Sequence, residues 1–458
     1  MRLSTAAQMR ASDRITSDAL GLPGVTLMET AGRAAAEHLR DLALASGLHK
    51  PPARLFCGGG NNGGDGFVIA RQLIAWGWDV EVILTAPRDR AHGDAAEHLR
   101  LLERVAQQNL CPGPCRLLYW GDYLHQGATL EALLAALRPR PVLIDALLGT
   151  GLSGPPRDHT AALIHHINRA GATLTFAVDI PSGLCADTGR VLGDAVRADA
   201  TSTFGLARLG HLLEPGRGLT GDLRVHDIGI PDGVFTQAGV QAEALTASLA
   251  RALLPRRPTD GHKGTFGHVL VVGGAPGTTG ALALASIAAL RAGAGLVTAA
   301  GHPDAAQLLP GLYPEVMTLP LRGPSDLLRA LPGKILAIGP GLGTTPDARA
   351  LLDAALDAAD APLVLDADAL NLVAAHDQTR ARLASAAARL PVILTPHPGE
   401  FSRLARTSTP ELLANTPAWT RRLAHDLGCV TLCKTSTTLV AHPDGRLAIN
   451  TTGHHGMA

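Results

Sequence analysis

Lysine is nearly missing. Of the 40 basic residues only Lys50, Lys263, Lys334 and Lys434 are lysines. Where arginine is the default cation, a retained lysine marks a place suited to a compact, flexible point charge. Excess charge of either sign is missing too, with 40 basic against 40 acidic residues. No basic stripe asks for nucleic acid, and no net field asks for an anionic membrane. No apolar run is long enough to span a bilayer, and Met1-Arg2-Leu3-Ser4 begins no signal peptide. The expectation is a cytoplasmic protein with neither membrane nor nucleic-acid partners. Cysteine is sparse: Cys57, Cys111, Cys115, Cys185, Cys429 and Cys433. Two pairs have C-x-x-x-C spacing, but neither brings two further metal ligands, so reduced structural thiols are expected.

What is present is glycine, concentrated in loops. Residues 58–66 read G-G-G-N-N-G-G-D-G, after the apolar run Leu55-Phe56-Cys57 and before apolar residues at helical spacing over 67–74. Strand, glycine loop and helix aim backbone N–H groups and a helix N-terminus at a ligand. Glycine permits positive φ and close approach of a ligand. The loop departs from the dinucleotide pattern G-x-G-x-x-G, because two asparagines and an aspartate lie inside it. That mixture of donors and oxygens suits a polar ligand plus a cation better than phosphate alone.

The 458 residues allow two or three domains of roughly 150 residues each. In the first half, helices are predicted over 5–20, after 33, over 67–74, 90–109, 130–137 and 158–170. Strands are predicted over 55–57, 79–84, 116–120, 141–145, 173–178 and 222–228. Two of these strands run into polar turns. One gives Asp145 and then Gly149-Thr150-Gly151-Leu152-Ser153-Gly154-Pro155; the other gives Asp179-Ile180-Pro181-Ser182-Gly183. Ligands of open parallel sheets sit at the carboxyl ends of strands, so Asn62, Asp65, Asp145, Thr150, Asp179 and Ser182 are expected in one crevice.

These motifs resemble the N-terminal domain of the NAD(P)H-hydrate repair enzymes, an epimerase acting on the R and S forms of hydrated NADH and NADPH. The resemblance implies ligand contacts at Asn61, Asn62, Gly63, Gly64 and Asp65, at Gly149, Thr150, Gly151, Leu152, Ser153, Gly154 and Pro155, and at Asp179. It implies a potassium site at Asn62, Asp145 and Ser182. One departure is Leu27-Met28-Glu29-Thr30-Ala31-Gly32, where the family tends to carry asparagine in place of Thr30. The chemistry follows from the substrate: expelling the hydroxyl leaves an iminium cation, and water returns on either face. Asp179 is the expected general acid and base, with Asp65 as a positioning partner.

Residues 241–254 read as an alanine-rich helix ended by Pro255. A second glycine-rich unit follows, with strands over 268–272, 296–299, 335–338, 363–365, 392–394 and 430–432 and a small-residue helix over 281–292. H-K-G-T-F-G, V-V-G-G, R-A-G-A-G-L-V-T, G-P-G-L-G, D-A-D-A-L-N and T-P-H-P-G-E-F stand in order. They resemble the dehydratase domain of the same enzymes, which has a ribokinase-like fold and uses ADP or ATP, with Mg2+, to drive water off the S hydrate. The implied contacts are Gly341, Gly343 and His397 for the hydrate, and Lys434, Thr435, Ser436, Thr437 and Thr438 for the adenine nucleotide. Thr278 and Thr435 depart from the usual methionine and glycine. The family also continues past N-P-G-M-A into a G-G-T-G-D loop bearing the dehydratase base; the sequence stops at Gly453-His454-His455-Gly456-Met457-Ala458, so little dehydratase activity is expected of it.

The expected architecture is therefore α/β throughout: a Rossmann-like three-layer domain over 1–230, a linker over 231–250, and an incomplete ribokinase-like domain over 251–458. A homo-oligomer is expected as the common default. Two other readings stay open: a ribokinase-like small-molecule kinase, and a non-catalytic nucleotide-binding scaffold such as the mRNA-decapping scaffold that shares the N-terminal fold.

Overall fold

In the first unit seven short strands lie side by side, all parallel. Their order is Cys115–Tyr119, Val80–Leu84, Ala53–Cys57, Val142–Ala146, Leu174–Val178, Ala200–Phe204 and Asp222–His226. The computed structural model describes residues 1–108, 110–152 and 154–453, and of Asp158 the backbone only. The chain divides into two compact units, Arg2–Gln241 and Ala242–Ala458, the latter also taking in Met1.

The strands of the first sheet are apolar on both faces, as a parallel sheet covered by helices requires. Leu55, Val82, Ile144, Phe176 and Val178 pack on one side with Ala35, Leu39, Phe67 and Leu73 from helices Gly24–Ala45 and Asn61–Ala75. Phe56, Ile83 and Leu143 face the other way, against Leu163, Ile164 and Ile167 of helix Asp158–Arg169. The chain starts at Ala53–Cys57, moves outward through two strands, then returns to Val142–Ala146 and proceeds in the opposite direction. The order reverses between those two central strands, and the loops after them open a crevice at their carboxyl ends.

One strand of this sheet, Ala200–Phe204, is absent from the sequence-based assignment. It reads A-T-S-T-F and is wholly buried. Its hydroxyls find partners in other elements. Thr201 donates to the Thr220 carbonyl (2.6 Å), Thr203 to Asp179 (2.9 Å), and Ser202 Oγ lies 2.8 Å from both His38 Nδ1 and His226 Nε2. Buried hydroxyls so satisfied cost little, which no local pattern discloses.

In the second unit the parallel order is Met317–Pro320, Leu296–Gly301, His268–Gly273, Ile335–Ile338, Leu363–Leu365, Val392–Leu394 and Val430–Cys433. Thr438–Ala441 and Leu447–Asn450 continue it antiparallel, and Ala242–Ala244 closes it parallel to the latter. That last strand corrects the expected helix over 241–254: the backbone of Ala242–Ala244 is taken up by sheet pairing, and only Ala247–Leu253 is helical, with Thr246 as its cap. Helix Thr279–Ala292 follows the first glycine loop and buries Leu282, Ala283 and Ser286. Among the described residues no helix is long and apolar enough to cross a membrane.

Candidate active site

The helix expected from residue 67 begins six residues earlier, at Asn61, so the glycine loop is mostly helix. None of the glycines over 58–66 has a positive φ. Their function is closeness. A Cβ at Gly63 would stand 1.9 Å from the Gly58 carbonyl oxygen, one at Gly64 2.5 Å from Met28 Sδ, and one at Gly66 2.7 Å from Cys57 Sγ. The first turn is therefore pressed against the sheet and against helix Gly24–Ala45. No side chain caps that turn, so its N–H groups and the positive end of the helix dipole open into the crevice.

The crevice is a cavity of about 960 Å³, within the range of small-molecule pockets. Asn61, Asn62 and Asp65 form one wall, Gly149, Thr150, Gly151 and Leu152 a second, and Asp179 a third. Gly63 and Gly64 lie behind the first wall as spacers, and Gly154 and Pro155 do not line the cavity. Ser153 lies outside the described residues. Thr30 donates its hydroxyl back to the Thr26 carbonyl at 2.9 Å and is not among the residues lining the cavity.

Asp179 is held from several sides. Its φ is 61°, in the left-handed region that is costly for a residue with a Cβ. Its N–H donates to the Ser202 carbonyl at 2.7 Å, and its own carbonyl meets His211 Nε2 at 2.9 Å. Oδ1 accepts from Thr203 (2.9 Å) and from Arg208 (3.1 Å). Arg208 is itself buried and also donates to Ser4 (3.2 Å) and to the Leu206 carbonyl. With Oδ1 so engaged, Oδ2 is left toward the Gly149 wall.

Asp65 is the opposite case. Burial first, and then the charges of Asp179 and Asp13, drive its carboxyl well above the usual carboxylate range, and no hydrogen bond pulls it back. The shift favours the protonated form of this carboxyl. A carboxyl raised by burial beside a second carboxyl is suited to acid–base work. The sequence offered no sign of two members of this group. Asp13 lies in a polar surface helix, and Arg208 is one arginine among many; both line the cavity.

Beneath the walls, Asp145 is fully buried. It accepts from the Ser182 N–H (2.7 Å), the Ser182 hydroxyl (2.6 Å) and the Leu147 N–H (3.2 Å). Burial pushes it up to about 6 against the pull of those donors. Ser182 Oγ in turn accepts from the Leu148 N–H at 2.9 Å. Asn62 is nearly buried, and neither its amide oxygen nor its amide nitrogen has a partner. No cluster of three His, Cys, Asp or Glu fit for a metal exists among the described residues.

In the second unit the order again reverses between two central strands, His268–Gly273 and Ile335–Ile338. Gly341 and Gly343 have φ of 62° and 81°. The Gly341 carbonyl accepts from the Ala275 N–H (2.6 Å) and from Thr278 Oγ1 (2.9 Å), and the Gly343 N–H donates to Asp368 (2.8 Å). His397 caps helix Pro398–Ala405 and pairs with Glu400 at 3.2 Å. Lys434 Nζ lies 2.9 Å from Asp366, whose same oxygen accepts from Thr395 at 2.8 Å. Asp366 and Asp368 tie these loops together, a role that their motif alone did not show. The hydroxyl run expected to cradle nucleotide is not continuous: Thr437 is buried, Thr438 opens a strand, and Thr435 donates to the Thr437 carbonyl. Lys434 and Ser436 are the exposed members.

Two family models match the chain. One described as YjeF-related protein N-terminus covers residues 24–210, and one described as NAD(P)H-hydrate dehydratase covers residues 269–458. A bifunctional NAD(P)H-hydrate repair enzyme from Moorella thermoacetica is 40% identical over 469 residues, spanning 100% of this chain and 85% of that one. The protein of that name from Escherichia coli is 35% identical over 457 residues, spanning 99% and 81%. A solved ADP/ATP-dependent NAD(P)H-hydrate dehydratase from Bacillus subtilis, co-crystallized with ATP/Mg2+, aligns with 46% of this chain and 72% of its own at 32% identity and a TM-score of 0.39.

Proposed function

The chain belongs to the family of bifunctional NAD(P)H-hydrate repair enzymes, and from that premise we propose that the cavity of the first unit epimerises hydrated NADH and NADPH. The observation that carries this is the pairing of Asp65 and Asp179 on adjoining walls, one buried with its carboxyl pushed above the usual range and the other hydrogen-bonded to Arg208. The hydrated ring carbon bears a hydroxyl beside the ring nitrogen. Asp65 delivers a proton to that hydroxyl, water departs, and the nitrogen lone pair forms the iminium. The free oxygen of Asp179 faces the cation electrostatically in a low-dielectric pocket. Water returning to the other face completes the inversion. This divides the work otherwise than the sequence suggested: Asp65 is the acid, and Asp179 is the fixed charge. The uncapped start of helix Asn61–Ala75 suits the phosphates of the dinucleotide.

The residues fit a monovalent cation with oxygen ligands. An amide with two orphaned buried polar atoms, Asn62, lies close to the loop that follows the buried carboxylate of Asp145. Asn62, Asp145 and Ser182 would hold it, and potassium is the ion we propose. When bound it would supply positive charge beside the buried Asp145 carboxylate.

The second unit is read as the dehydratase, acting on the S epimer with ADP or ATP and Mg2+. Gly341, Gly343 and His397 are the proposed hydrate contacts, and Lys434, Thr435 and Ser436 the proposed nucleotide contacts. The division at about residue 230, with 231–250 as connection and 251–458 as the second domain, is kept as a proposal.

Replacing Asp179 with Asn tests the reading. Conversion of pure R hydrate to S by the full chain should fall at least about 100-fold, with an unchanged circular dichroism spectrum. A variant as active as the wild type would sink it.

A further inference from the structure

Asp13 is a wall residue to which the proposed epimerisation gives no task. It sits in the middle of helix Ala6–Leu20, where it can cap neither end. Met9, Arg10, Asp13, Arg14 and Ser17 of that helix line the cavity, a single helical face. Among the described residues the Asp13 carboxyl makes no hydrogen bond; what acts on it is burial, the Arg208 charge and the Asp179 charge. The charged groups about it are Arg208, Asp179 and Asp65 from other elements, and Arg10 and Arg14 from its own. A carboxyl placed on a ligand cavity without a structural partner needs another explanation.

Inversion at one carbon supplies it. The hydroxyl leaves from one face of the ring and water arrives on the other. Each event moves a proton, and a single rigid carboxyl reaches only one face. Asp65 and Asp13 come from different helices, Asn61–Ala75 and Ala6–Leu20, and both line the same cavity. We propose that Asp13 is the second acid–base group of the epimerisation, working on the ring face opposite Asp65. The proposal rests on the epimerase reading of this cavity.

The step balances. Asp65 gives its proton to the hydroxyl oxygen, and the C–O bond breaks with its electron pair leaving in water. The nitrogen lone pair forms the C=N bond. A solvent water then attacks the opposite face of that carbon, and the C=N pair returns to nitrogen. The surplus proton of the attacking water passes to the Asp13 carboxylate. One water is lost and one gained, and the proton has moved from Asp65 to Asp13. The reverse reaction, or exchange with solvent, resets the pair.

The test uses the full chain with chromatographic separation of R and S hydrate, for the wild type, D13N and D13E. The active form has one proton on the pair, so kcat/KM of the wild type should fall on the acid side with a limb near pH 6, where Asp13 titrates. D13N should lose about 100-fold in kcat with little change in KM, and should lose that limb. D13E, which keeps a carboxyl, should recover at least a tenth of the rate and restore a displaced limb; it decides the matter if D13N is unstable. Conversion by D13N at the wild-type rate overturns the proposal and leaves the epimerase reading standing. So does a D13E profile identical to that of the wild type beside a D13N that retains the limb. A wild-type chain that never converts R to S overturns both.

Discussion

The division of labour between two aspartates rests on what each touches. Asp179 has Thr203 and Arg208 on one oxygen, whereas Asp65 has no donor among the described residues and lies in the field of two other carboxyls. Asp179 and Asp65 were legible as members of the crevice because each follows a strand in a motif that also carries glycine. Asp13 and Arg208 were not, because nothing local sets them apart and only the fold brings positions so far apart in sequence to one wall. Asn62 is the residue whose surroundings ask for a ligand. Exchanging potassium for tetramethylammonium should lower the thermal midpoint of the wild type and its epimerase rate, and Asn62→Ala should remove most of that difference; equal midpoints in both salts would count against the cation. His38 gives a prediction of a different kind. Burial, with Arg224 and His226 nearby, pulls it from 6.5 to about 4. The folded state then binds fewer protons than the unfolded state between those values, so stability is full above 6.5 and is lost as pH falls toward 4. By linkage the ring costs the wild type about 2 kcal/mol between pH 7 and pH 5. Urea titrations at the two pH values should show the gap between the wild type and His38→Gln moving by about that amount in favour of the variant. A constant gap would mean that the ring is already protonated, or not buried, in solution.

Among elements, helix Asn61–Ala75 shows how a correct motif can be read for the wrong reason. Its glycines suggest a flexible left-handed loop, but the backbone is helical and the glycines buy closeness to Gly58, Met28 and Cys57. Gly63→Ala should therefore push the helix start away from residues 58–60, cost about 1–3 kcal/mol and abolish epimerisation, while binding of ADP to the second unit is untouched. A stable, active variant would show that the loop yields. Strand Ala200–Phe204 marks the limit of periodicity. Its three central residues are hydroxylic, so it reads as a loop, and it is buried only because Thr220, Asp179, His38 and His226 arrive from elsewhere in the chain. The short strand Ala242–Ala244 failed for a related reason. Its alanine favours a helix locally, and pairing with Leu447–Asn450 decides otherwise.

At the scale of the whole molecule, both units use one plan: a parallel sheet, a reversal of strand order at its centre, and polar glycine loops at the carboxyl edge. That plan was legible where a strand is a short apolar run followed by glycine or an acid, as after Ala53–Cys57, Leu174–Val178, Ile335–Ile338 and Leu363–Leu365. What sequence could not convey is how the acids differ, since burial and the proximity of other charges set that and the fold alone supplies them. The central claim is that the first unit inverts the hydrated carbon by expelling water and adding it back. The most direct measurement incubates the full chain with pure R hydrate in water enriched in oxygen-18 and follows the S epimer by mass. The account predicts that S appears and that its new hydroxyl carries the heavy isotope. An S epimer formed without label, or none formed at all, would contradict it.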